Sequence, residues 1–353
     1  FTEPHPQRIL MKNIYNENNQ MTISLSSSSI SRSFIYCEDS SSFIFCLFGS
    51  KLINGGIEKR FVLQVKANIN NENQFSLTVT NVRDIEIKNE VFCIGFQSFL
   101  GQIIASQSTG KLVHFVQNSK TQTSLEAEFL IPELSNVSHF TSKEEFFAVV
   151  SDDATLNLYV FGRHLEFKVE FYGDQITCLD VSKPFKVCAC GTFSGRIVLC
   201  SLFEGKKVCV IPLIHDASTS LGIEISQLRP VKVLVTESWG FVLTYSEVVD
   251  IDGNSRLILF LHNINGHFIR CIDAGKIRIS CWSSFKSSKD FDYVIMANEK
   301  GMVFVFEAFY LDLGQPIIKC YKKVVAVACS IENKVAVAVK EDGNAMVSSI
   351  CID

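Results

Sequence analysis

Seven histidines (His5, His114, His139, His164, His215, His262 and His267) and thirteen cysteines are the side chains of this 353-residue sequence best suited to metal or nucleophilic chemistry. Capturing a metal from one short segment needs ligands at H-x-H, H-x-x-x-H or C-x-x-C spacing. None of these spacings occurs. Cys188 and Cys190 share one face of a strand and would need distant partners to hold an ion. Asp152-Asp153 and Asp250-x-Asp252 have the form of acid pairs for general acid–base work. Both fall in polar turns, where Asp is favoured because it bonds its own backbone. IDGNS (251–255) has the outline of a calcium loop without the further acidic ligands and terminal Glu such a loop uses. No G-x-S-x-G elbow, phosphate-binding loop or dinucleotide fingerprint is present. The residues therefore predict no catalytic side chain, no metal and no cofactor. The chain reads as a binder and not an enzyme.

The cysteines sit inside apolar strands and are odd in number. Free Cys behaves as a small buried hydrophobe, which suits a reducing cytoplasm. In such a compartment the acceptor triplet Asn136-Val-Ser138 stays silent. The net charge is −4 and no basic stripe is visible, which argues against nucleic acid. Apolar residues make up 47%, yet no apolar run reaches the length of a transmembrane helix. The first residue is Phe and no signal peptide precedes the fold, so the chain reads as a piece of something longer.

What would have to position any site is a series of short strands. Tight polar turns centre near Asp39, Gly110, Asp153, Gly195, Gly253, Gly301 and Gly343, at intervals of 71, 43, 42, 58, 48 and 42 residues. Each is followed by an apolar strand such as KLVHFV (111–116), RIVLCSL (196–202) or MVFVFEAF (302–309). A repeat of about 40–45 residues built from short strands is the spacing of a propeller blade. The prediction is an all-β, seven-bladed β-propeller. The last unit stops one strand short, and the N-terminal strand RILMKNIY (8–15) is the expected donor that completes it and removes the open sheet edge. Residues 1–20 then form a leading tail plus the closing strand, and 21–353 the propeller. The first unit begins at MTISLS (21–26), with SLTVTNV (76–82) in excess as a blade extension or a surface hairpin.

Candidate contacts for a partner lie on connections. The insertion 214–230 reads either as a variable surface loop or as a binding element, and within it stand Asp216, Leu221, Ile223 and Arg229. Phe193 lies in a turn between strands and should be half exposed. Lys300 occupies the Glu299–Gly301 turn. Trp239 and Trp282 are placed between first and second strands, where a large ring wedges neighbouring blades together.

The opening FTEPHPQR (1–8) resembles the segment that ends the BEACH domain of large eukaryotic trafficking scaffolds of the neurobeachin type. ITCLDVSKPFKVCACGTFSGRIVLCSL (176–202), VLVTESWGFVLTYS (233–246), LFLHNINGHFIR (259–270) and FDYVIMANEKGMVFVFEAFYL (291–311) are similar to the degenerate WD40-type propeller that follows it. The likeness is strongest from about 175 onward. No Trp-Asp dipeptide closes a third strand and the Gly-His opener is absent, so blades are expected to hold by apolar packing. The resemblance implies a non-catalytic interaction scaffold in vesicle, lysosome or autophagy traffic. It would be cytoplasmic and peripheral to membranes, with other proteins and a preceding BEACH domain as partners. Two alternatives stay open: an architectural propeller of a coat or pore-like complex, and a propeller enzyme. The enzyme would need acidic or His side chains at the starts of several inner strands, where Ile, Val, Phe and Cys prevail.

Overall fold

A computed structural model describes residues 21–23, 28–39, 42–53, 57–69, 75–85, 91–97, 102–107, 109–117, 124–129, 136–143, 145–151, 154–160, 165–287, 289–330, 335–341 and 345–349. The tail 1–20, the strand 8–15, His5, His164, the pair Asp152-Asp153 and the turn at Gly343 lie outside them.

The chain folds as a β-propeller. Four consecutive antiparallel strands make the sheet over 176–212: Ile176–Ser182, Val187–Thr192, Arg196–Ser201 and Lys207–Pro212. Sheets of the same order cover 137–170, 225–273 and 279–319. The strands over 28–129 form one eight-stranded sheet made of two such meanders. They join where Asp84 and Ile85 run parallel to Ser124 and Leu125. The first strands touch their neighbours in a closed circuit. Ser28–Asp39 meets Val91–Gln97, which meets Val137–Lys143, and so on through Val324–Ser330, which returns to Ser28–Asp39.

Period-two alternation explains why the second strands read as unbroken apolar runs. Val187–Thr192 is buried at every position because a sheet covers each of its faces. Cys188 and Cys190 pack with Val150 and Leu156 of the preceding sheet. Ala189 packs with Val233 and Val242 of the following one. Cores of this kind lie between successive sheets from 137 to 346. Each fully buried Val, Leu or Ile contributes roughly 1.5–3 kcal/mol.

Three features differ from the sequence reading. The closing strand is Met21–Ile23, which pairs antiparallel with Ala345–Ser349. It does not open the first sheet, because Ser28–Asp39 supplies that sheet's first strand and Phe75–Ile85, the supposed excess, its fourth. The first sheet thus starts one strand later than the sequence predicts. The insertion 214–230 is a helix, Leu213–Leu221, followed by an extended first strand, Ile225–Val235. Trp282 lies within the first strand Ile279–Lys286, half-buried against the inter-sheet core. Trp239 does stand between strands but is 60% exposed, its indole N–H donating to the Asp290 carbonyl.

Candidate functional site

The chain enters every first strand from one end of the ring, here the proximal face. The connections between fourth and first strands and the turns between second and third strands all lie there. In four successive sheets the same main-chain bond ties these two segments together. Phe193 N–H donates to the Gln175 carbonyl (2.8 Å), Ile251 to Glu224 (3.1 Å), Glu299 to Arg278 (2.9 Å) and Glu341 to Lys323 (3.0 Å). The rim is therefore a fixed platform whose side chains vary while its backbone repeats. Gly301 shows how tight the fit is. Its φ of 80° is left-handed, and a Cβ there would run into the backbone of Lys322.

Phe193, Arg229 and Lys300 stand at this face, and the connection that carries Asp216, Leu221 and Ile223 starts and ends there, in different roles. Phe193 is 47% exposed in its turn. Arg229, on the first strand Ile225–Val235, is exposed and its Nη2 donates to Glu247 Oε2 at 2.9 Å. These two share a cleft of about 270 Å³ lined also by His139, Gln175, Thr177 and Pro230. The Thr177 hydroxyl closes its floor by donating to the Pro230 carbonyl at 2.6 Å. Lys300 is exposed in a neighbouring sheet and does not line the cleft.

Asp216 and Leu221 are engaged within the fold. The helix Leu213–Leu221 buries Leu213 and Ala217, and Leu221 packs against the same core. Asp216 Oδ2 lies 2.9 Å from His262 Nε2, inside the next sheet. His262 is fully buried, and its Nδ1 has no partner among the described residues. Burial lowers the pKa of His262 more than Asp216 restores it, so the neutral ring is favoured. Gly222 ends the helix in the left-handed conformation and leaves Ile223 half-buried beyond it.

At the opposite, distal end, polar ties between sheets escaped the sequence reading, which expected apolar packing alone. Asp292 accepts from the Thr236 hydroxyl (2.6 Å) and from the main-chain N–H groups of Ser238 (3.0 Å) and Trp239 (2.8 Å). Asp180 accepts from Val235 N–H at 2.8 Å. Lys143 Nζ donates to Glu237 Oε1 at 3.0 Å, reaching past an intervening sheet. Burial pushes the Asp180 carboxyl above its usual value, with the Lys143 ammonium pulling the other way. Burial would lower Lys143, but Asp180 and then Glu237 outweigh it and leave the ammonium held above its ordinary pKa. A polar residue opening an otherwise apolar second strand, as Asp292 does in DYVIMAN, is the signal that could have revealed these ties.

Among the described residues no group of three or more His, Cys, Asp or Glu side chains is arranged to hold a metal. Cys188 and Cys190 do approach, Sγ to Sγ at 3.8 Å. Burial raises Cys178 and Cys281 to about 12 each, which keeps these thiols protonated.

No protein-family model matches the chain, and no curated protein matches it. Solved structures do. The WD40 domain of coronin from Toxoplasma gondii aligns at a TM-score of 0.59 and 9% identity, over 95% of this chain and 87% of that one. The computationally designed Ika8 protein aligns at 0.52 and 13% identity, over 93% and 98%. At such identities the likeness establishes a WD40-like β-propeller fold.

Proposed function

We propose that this chain is a seven-bladed, non-catalytic interaction module that docks other proteins on its proximal face. The observation that carries the reading is the rim itself. Main-chain bonds fix a repeating backbone, and that backbone holds Phe193, Ile251 and Tyr321 out to solvent at 47%, 63% and 87% exposure. Exposed apolar and aromatic side chains on a rigid scaffold are what interface anchors require. The count of seven is supported by the circuit of first strands, once the eight-stranded sheet is divided at its short parallel seam.

The BEACH-like opening and the buried thiols support the finer assignment. On that reading the module belongs to a cytoplasmic scaffold of vesicle, lysosome or autophagy traffic, peripheral to membranes, with a BEACH domain preceding it and membrane-associated complexes among its partners. Phe193, Arg229 and Ile223 contact the partner at and beside the cleft, with Lys300 further along the rim.

Deleting 214–230 would not test this, because the helix buries Leu213 and Ala217. A double variant Phe193→Ala, Ile251→Ala changes only exposed side chains. Proteins captured from cell extract by the tagged chain are compared between wild type and variant by quantitative mass spectrometry. Loss of a defined subset supports the reading, and retention of every captured protein by the variant overturns it.

A further inference from the structure

We infer that the proximal face is divided electrically and that its basic half receives an acidic segment of a partner protein. This inference rests on the docking reading above. Three neighbouring segments build the basic half: the connection 274–278, the turn 299–301 and the connection 320–323. The Glu299-to-Arg278 bond joins the first two, and Cys320 N–H donates to the Gly301 carbonyl at 2.8 Å to join the last two. Lys276, Arg278, Lys300, Lys322 and Lys323 are thereby gathered on one stretch of rim, all exposed. Among the described residues the acids at this stretch are Asp273, whose Oδ1 accepts from Gly275 N–H at 2.7 Å, Glu299, and Glu341, the last bonded through its N–H to the Lys323 carbonyl. Tyr321 stands among the cations, 87% exposed, with a left-handed φ of 57° that turns the chain outward.

The positions related by the repeated rim bond show the contrast directly. Gln175 with Phe193 and Glu224 with Ile251 occupy one side of the face, and Arg278 with Glu299 and Lys323 with Glu341 the other. Among the described rim positions, the first side exposes Phe193 and Ile251 beside Arg229 and Glu224, and the second gathers Lys276, Arg278, Lys300, Lys322 and Lys323 around Tyr321, in excess over Asp273, Glu299 and Glu341. The net charge of the whole chain is −4, so this local excess does not reflect a generally basic protein.

That asymmetry selects the ligand. The cations are dispersed along three connections, which matches carboxylates dispersed along an extended peptide. A nucleic acid or an anionic membrane is long or broad enough to meet the rest of a net-negative molecule. A short acidic segment senses mainly what lies within a Debye length of about 8 Å. A peptide with acidic residues beside an apolar anchor would satisfy both halves, Tyr321 and the cations on one side and Phe193 and Ile251 on the other.

The test uses the full 353-residue chain and a fluorescein-labelled oligo-glutamate peptide, read by fluorescence anisotropy at low and physiological salt. The patch variant carries Lys276→Glu, Arg278→Glu, Lys300→Glu and Lys323→Glu. A control carries the same charge change away from the face, at the exposed Lys168, Lys206, Lys286 and Lys289, each to Glu. The expected result is salt-sensitive binding by wild type, a loss of roughly tenfold or more in the patch variant, and a change within about twofold in the control. The inference is overturned if wild type does not bind the peptide or if the control loses as much as the patch variant. It is equally overturned if phosphatidylserine vesicles or duplex DNA bind the patch more tightly than the peptide does. Any of these results leaves the Phe193/Ile251 capture experiment standing, so failure of the ligand assignment is distinct from failure of the docking face.

Discussion

Asp292 is 2% exposed and its carboxylate serves three donors on the neighbouring sheet. Replacing it by Ala leaves the buried Thr236 hydroxyl and two part-buried main-chain N–H groups without this acceptor, at the full desolvation cost for the first and a smaller one for the others. Asp292→Ala is therefore expected to lose about 2–4 kcal/mol of stability, measured by urea unfolding, and Thr236→Val clearly less. An unfolding midpoint unchanged by Asp292→Ala would show the tie to be incidental. At this scale the sequence was read unevenly. Turn residues such as Phe193 and Lys300 were legible, because a Gly two residues or one residue later marks a tight turn and a turn side chain faces water. Asp216 and Leu221 were placed in the right segment but not in their roles. Which way a helical side chain points depends on what the helix lies against, and that partner, His262, comes from a different sheet.

The helix Leu213–Leu221 shows what was hidden at the level of elements. It has only nine residues and no side-chain cap, too little to stand alone in water. Its flanking Pro212 and Gly222 are proper boundary residues, yet the intervening polar run reads as a loop until Leu213 and Ala217 find the sheet. The third strand of 176–212, by contrast, is expected over 196–202 and found at Arg196–Ser201, since sheets on both faces force continuous apolar runs. The buried His262 that Asp216 of this helix meets also gives the molecule a pH dependence, through its burial and against the pull of Asp216. Because the folded pKa of His262 is depressed below 6.5, the unfolded chain binds more protons between the folded value and 6.5. The stabilisation from the neutral ring is complete above pH 6.5 and declines as pH falls through that window. This adds a slope of at most roughly 1.4 kcal/mol per pH unit. His262→Gln should flatten the dependence of melting temperature on pH below 6.5, and an unaltered slope would exclude this site as its source.

For the whole molecule, the repeat is visible because the sheets, the closing one excepted, are meanders of consecutive strands, so local pattern suffices. The closure was not, because Met21–Ile23 is a three-residue strand whose partner stands at the far end of the chain. Its few residues carry no periodicity to distinguish them from the next strand along. A chain lacking residues through Ile23 should lose about 2 kcal/mol or more and expose Ala345–Ser349 as an open edge prone to association. Chemical denaturation and light scattering check both effects, and a monomeric chain of unchanged stability would show that the short strand fastens nothing.

That fastening has a consequence for synthesis. Within this chain the segment around Thr22 is made well before its partner Met346. Middle sheets can assemble as they emerge, but Met21–Ile23 waits unpaired until Ala345–Ser349 has been made. A chain cut short before Ala345 would thus have two unmated margins instead of one seamless circle.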